Sequence, residues 1–140
     1  MEVDLALLAD AATIDASGKL NILGIFDHIT TTSFPARHPK MVLVLRFSAG
    51  LDEAGQHHVE IALRDPDGNE VVHIDGEMQL GPGRGGAAQG IQVPHVLHMD
   101  GLVLPVPGQY GFDVTVDGVH CETVPLRVTS LAGSTPIAQA

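Results

Sequence analysis

Tryptophan is absent from this 140-residue chain, tyrosine occurs once and phenylalanine four times. So thin an aromatic supply gives little platform for stacking sugars or bases. Cysteine occurs once, as Cys121, which excludes an internal disulfide and a cysteine-based zinc motif. Positive charge is equally scarce: 7 Lys and Arg stand against 17 Asp and Glu, a formal net charge of −10. Nucleic acid and anionic membranes both select basic surfaces, so the composition argues against either as a partner. No apolar run approaches the ~20 residues that cross a bilayer. The opening Met1-Glu2-Val3-Asp4 is acidic where a signal peptide would be basic, and the expectation is a cytoplasmic protein.

What the chain does contain is two-residue alternation. Apolar residues make up 44% of it, enough for one domain with a core of its own. The stretch from Leu104 to Val128 carries the strongest pattern. Tyr110, Phe112, Val114 and Val116 alternate with Gly111, Asp113 and Thr115, the period of a half-buried strand. Asp117-Gly118 supplies the turn, since glycine accepts the positive φ of a tight hairpin. A three-residue turn that includes Val119 sets Phe112 opposite Val124 and Tyr110 opposite Leu126, keeping both pairs apolar. Pro125 predicts that the return strand has one unpaired side.

Upstream, residues 2–12 place Val3, Leu5, Leu7, Ala9 and Ala11 on one face, although Leu and Ala also suit a helix. Lys19 to Thr31 is apolar on both faces, as in a central strand or one bent at a bulge, with Gly24 the bulge or close-approach point. Pro35 and Pro39 bracket an irregular crossing before a strand over Lys40–Ser48. Gly50 to Gly55 is a polar loop or one helical turn. His57–Arg64 and Asn69–Leu80 form the clearest hairpin. A two-residue Asp67-Gly68 turn sets Leu63 opposite Val72 and Ile61 opposite Ile74. Gly81 to Gly90 is a loop, Pro94 to Asp100 a short strand, and Gly101 to Pro107 a corner. The pattern predicts an all-β fold: an antiparallel β-sandwich, immunoglobulin-like, of about eight strands. The sandwich spans residues 1–128, and 129–140 form a C-terminal tail. Tyr110 after the corner is similar to the tyrosine corner of immunoglobulin-like domains, whose phenol bonds the preceding loop.

The blocks Glu2-Val-Asp-Leu-Ala-Leu-Leu-Ala-Asp10, Gly18-Lys-Leu-Asn-Ile-Leu-Gly-Ile-Phe-Asp27, Ser33-Phe-Pro35 and His38-Pro39 have a familiar order. With Asp65-Pro-Asp-Gly-Asn69 and Pro107-Gly-Gln-Tyr-Gly-Phe112, the chain resembles a family of small bacterial all-β proteins known only as a domain of unknown function. The resemblance covers residues 2–128 and implies no activity, ligand or site residue.

Motifs that bear chemistry are few. Gly81-Pro-Gly83-Arg-Gly-Gly86 fits the dinucleotide pattern by letter, but the motif works only between a strand and a helix, and a strand follows here. Asp65-Pro-Asp67-Gly-Asn69 opens like a calcium loop, yet Glu70 stands where glycine is required and Gly76 where glutamate is. His120 and Cys121 are adjacent on a strand and point apart, so they cannot form a thiol–imidazole pair. The constellation of interest is on the hairpin. Its register places Glu60 opposite Asp75 and His58 opposite Glu77 on the outward face. Facing carboxylates repel, and a cation between them would relieve the repulsion. His58, Glu60, Asp75 and Glu77 are therefore the candidate ligands of a zinc-like ion, against the simpler alternative of a solvated polar face. With no catalytic grouping and no cofactor motif, the expectation is a non-enzymatic module that associates with an unknown protein partner, including self-association as a homo-oligomer. The alternative is a metal- or small-ligand-binding domain built on the hairpin face.

Overall fold

A computed structural model describes residues 1–81 and 90–131. Among these residues, nine strands make two sheets: β1 (Glu2–Ile14), β2 (Leu20–Phe26), β3 (His28–Thr31), β4 (Ala36–Ala49), β5 (Gly55–Arg64), β6 (Glu70–Leu80), β7 (Ile91–Leu104), β8 (Gly108–Val116) and β9 (Val119–Ser130). The first sheet has the order β2-β1-β4-β7, and the second β3-β9-β8-β5-β6. Pairing is antiparallel except for β3 on β9, which is parallel. A 3-10 turn at Leu51–Glu53 is the one helical element among the described residues. The dinucleotide-like glycine run lies largely outside the described residues, as does the tail beyond Leu131. Thr129 and Ser130 belong to β9 and not to that tail, because they pair with Thr30 and Thr31.

The fold is an antiparallel β-sandwich of the immunoglobulin-like kind. Between the sheets lies one principal core, with Leu8, Met41, Leu43, Leu45 and Phe47 on one side and Leu63, Tyr110, Phe112, Val114 and Leu126 on the other. Tyr110 makes the expected corner: its hydroxyl donates to the Val106 carbonyl at 2.6 Å and accepts from the Val106 N–H at 3.1 Å. The phenol thereby satisfies two backbone groups that a corner would otherwise strand.

Bulges account for most departures from the sequence reading. In β1 the register slips between Val3 and Leu5, leaving Asp4 unpaired. Crossing that slip, Val3 joins Ala6 and Leu8 against the main core, whereas Leu5, Leu7 and Ala9 pack with Val42 and Val44 in a separate cluster. The single apolar face expected over residues 2–12 is thus two faces. The stretch Lys19–Thr31 is not a central strand. It is the edge strand β2, a crossing at Asp27 and then β3 in the other sheet; Leu20 and Ile22 pack with the Val42–Val44 cluster, and Phe26 and Ile29 against the main core.

β4 begins at Ala36 and includes Pro39, which falls opposite Gly101 between the His38–Leu102 and Lys40–Asp100 pairs. β7 is correspondingly longer than expected, starting at Ile91. The Asp65–Asn69 connection is a wider loop than the two-residue turn expected, with Asp65 Oδ1 accepting from the Asp67 and Asn69 N–H groups. In the β8–β9 hairpin the expected pairs Phe112–Val124 and Tyr110–Leu126 form. The turn itself is Asp117-Gly118, and the extra residue is Cys121, where the register slips. Pro125 lies just before the segment of β9 that β3 covers, so its missing N–H costs no bond on that side.

Candidate functional site

The hairpin of β5 and β6 sets His58 opposite Glu77 and Glu60 opposite Asp75, the register expected from its apolar pairs. The structure brings three of the four candidates together: one ligand atom each from His58, Glu60 and Asp75 lies within 4.8 Å of the others. His58 Nε2 is 3.5 Å from Glu60 Oε1 and 3.9 Å from Asp75 Oδ2. Glu77 takes another part. Its Oε1 lies 2.9 Å from His58 Nδ1, on the far side of the ring. A carboxylate there fixes the imidazole's orientation and turns Nε2 toward the two acids, the arrangement that commonly supports a metal-bound histidine. His73 closes the group, with Nδ1 2.5 Å from Glu70 and Nε2 4.0 Å from Asp75.

The carboxylates of this face favour a cation at His58. The hydrogen bond to Glu77, with the charges of Glu77, Glu60 and Asp75, raises the His58 pKa above the ordinary histidine value. Protonated, His58 offsets the carboxylates around it; deprotonated, it offers Nε2 as a ligand. A proton and a metal ion therefore compete for one atom.

A second histidine works structurally and was not signalled by the sequence. His57 Nδ1 lies 2.5 Å from Asp117 Oδ2, and its Nε2 is 2.6 Å from the Glu53 carbonyl. Asp117 Oδ1 accepts the His58 N–H at 2.9 Å. Asp117 has φ +51, so the turn residue that needs an unusual backbone is also the one tied down by β5. The bond to Asp117 raises the His57 pKa, and the same bond lowers that of Asp117. A raised histidine pKa gives stabilisation that is complete below about pH 6.5 and lost as pH climbs through the folded-state value. The lowered aspartate gives stabilisation that is complete above about pH 3.9 and lost on acidification. The clamp is strongest between these limits. The thermal midpoint is expected to fall between pH 6 and pH 8.5, and His57→Gln to flatten that slope; equal slopes in the two proteins would refute the clamp.

Cys121 and His120 do not meet. Cys121 Sγ donates to the Val119 carbonyl at 3.5 Å, and His120 Nε2 lies 2.8 Å from Thr123 Oγ1. Among the described residues, no helix is long and apolar enough to cross a membrane.

Against known proteins, residues 4–129 match a family of unknown function, DUF6941. The chain belongs to DUF6941. The matched span runs from the β1 bulge to the end of β9, so the DUF6941 unit is the sandwich itself and includes the His58 face. Comparison with curated protein sequences gives no match. Two solved structures are similar to this DUF6941 chain. One is the Pseudomonas fluorescens alkylpurine DNA glycosylase AlkC bound to DNA containing an abasic site analog, at TM-score 0.48 and 8% identity, over 91% of this chain and 30% of that one. The other is an immunoglobulin-like protein from Pseudomonas aeruginosa, at TM-score 0.42 and 13% identity, over 91% of this chain and 94% of that one.

Proposed function

We propose that this chain is a non-enzymatic β-sandwich module that associates with protein partners through the edge of β2, a second copy of itself included. The observation that carries the reading is the character of that edge. β2 contains no charged residue and no proline, and Leu23 and Ile25 are 72% and 65% exposed. The other edges are guarded. β6 carries Glu70, His73, Asp75 and Glu77, β7 carries Pro94 and Asp100, and β3 is four residues long. Natural sheets blunt their edges with charges, proline or short strands, because a bare edge adds another strand. An apolar seven-residue edge left bare is a pairing site. The separation of Cys121 from His120 supports the non-enzymatic part, and the free thiol fits a reducing cytoplasm.

Light scattering over a concentration series tests this reading. The expected mass rises to twice 14.7 kDa, and Leu23→Lys returns it to the monomer with an unchanged circular dichroism spectrum. A 14.7 kDa species throughout the series would remove self-association.

The hairpin triad favours a second reading, a divalent-cation site with His58, Glu60 and Asp75 as ligands and Glu77 orienting His58. Zinc or manganese is expected to raise the thermal midpoint more at pH 8.5 than at pH 6, since the proton on His58 must leave first. His58→Ala abolishes the shift. Absence of any shift at millimolar metal, or a shift indifferent to pH, counts against the site.

A further inference from the structure

The β1–β2 hairpin is almost bare of charge. From Leu5 to Ile14 the one charged residue is Asp10, and β2 has none. Asp10 stands across from Gly24, between the pairs Ala9–Ile25 and Ala11–Leu23. Its carboxylate leans over the glycine: a Cβ built on Gly24 would sit 2.3 Å from Asp10 Oδ2. A glycine inside a strand often marks a close approach, and here the chain's own acid makes it. Gly24 also has φ +74, so backbone and space both call for glycine at this place.

The acid is left without a counterpart. Among the described residues the Asp10 carboxylate has no hydrogen bond and no ion pair. The residues of the two flanking pairs are all apolar, and Leu23 and Ile25 among them are exposed. Beyond Gly24 lies the free side of the sheet, because β2 is its outermost strand.

We propose that the β2 edge accepts an extended segment of another protein in which a lysine or arginine stands between two apolar residues, the basic side chain pairing with Asp10 and the apolar ones covering Leu23 and Ile25. The inference rests on the β2-edge reading above and adds the chemistry of the partner. Pleating sets the pattern. Residues directly opposite one another across a sheet share a face, so Asp10, Gly24 and the residue added opposite Gly24 form one row. Opposed Cβ atoms are about 4.5–5.5 Å apart, and Asp10 already reaches over β2, so a long basic side chain at the added position meets the carboxylate. The residues before and after it point to the other face, beside Leu23 and Ile25, where apolar side chains remove the exposed surface from water. Net charge agrees, since a chain at −10 attracts a basic segment and repels an acidic one. A second copy brings no basic residue on β2 and adds a second Asp10, which makes it the weaker occupant of this row.

The experiment titrates the full, isotope-labelled chain with a nine-residue peptide of alternating threonine and valine that carries lysine at its fifth position, and with the same peptide carrying glutamate there. Saturable shifts of the Leu23, Gly24 and Ile25 amides are expected with the lysine peptide, and binding about fivefold weaker with the glutamate peptide. Asp10→Asn is expected to bring the two affinities together. So is about 1 M NaCl with the natural chain, where charges more than a few ångströms apart are screened. Equal affinities for the two peptides in the natural chain at low salt would overturn this inference and leave the edge reading standing. A preference that survives Asp10→Asn or the added salt would overturn it as well. No shift on β2 with either peptide would remove the edge reading and this inference together. If Asp10→Asn does not fold, the salt series decides alone.

Discussion

Phe112→Ala is expected to destabilise the protein by about 4 kcal/mol, within the usual range for emptying a fully buried aromatic site. Phe112 is 1% exposed and lies in register between Leu63 of β5 and Val124 of β9, both also buried. It therefore joins three strands of the second sheet to the first sheet's Met41–Phe47 face in one core. These are ladder-held strands with little freedom to collapse into the hole, so the loss includes both the transfer term and the cavity. Against a typical total of about 5–15 kcal/mol, such a loss leaves the variant marginal at 37 °C. Urea denaturation checks it, with Phe112→Leu as the companion expected to lose under about 1.5 kcal/mol. A loss for the alanine variant no greater than for leucine would mean that Phe112 is not central to the core.

Gly108→Ala is expected to cost about 3 kcal/mol, for two reasons that act together. Gly108 has φ +136, a backbone region that only glycine enters cheaply. An added Cβ would also sit 2.5 Å from Pro66 Cγ and 2.9 Å from Pro66 Cβ. The proline ring cannot swing away as a flexible side chain would. Pro66 belongs to the β5–β6 loop, so the contact holds that loop beneath the start of β8. A double-mutant cycle with Pro66→Gly separates the two causes: the clash is relieved and the backbone strain stays. Gly118→Ala is the internal comparison. It has φ +81 but nothing within 4 Å of its Cβ, so it carries strain alone and should cost less. Equal losses at Gly108 and Gly118 would show that Pro66 contributes nothing.

The sequence announced what depends on opposed apolar pairs. Leu63 with Val72, Ile61 with Ile74, and Phe112 with Val124 each make sense in one register only, and a slip would bury polar residues. The outward partners follow from the same register, which is why the sequence alone groups His58, Glu60, Asp75 and Glu77 on one face. The tyrosine corner was legible because its residues are contiguous.

What stayed hidden depends on bulges and on contacts between distant strands. Nothing near Asp4 marks it as an extra residue, because the ladder that skips it belongs to β4. Pro39 looked like a break, since its tolerance rests on Gly101 standing opposite, over sixty positions away. The His57–Asp117 clamp joins two hairpins whose relative placement no local pattern encodes.

The parallel contact of β3 with β9 fixes when the molecule can be finished. Ile29 pairs with Val128, and the Asp27 carbonyl accepts the Arg127 N–H. During synthesis the ribosome makes β3 well before its partner, with five other strands between them. Until then the nascent chain holds a segment whose partner strand does not yet exist, with exposed Leu23 and Ile25 shortly before it. That interval, more than any moment in the finished protein, is when an escorting chaperone would have something to grip.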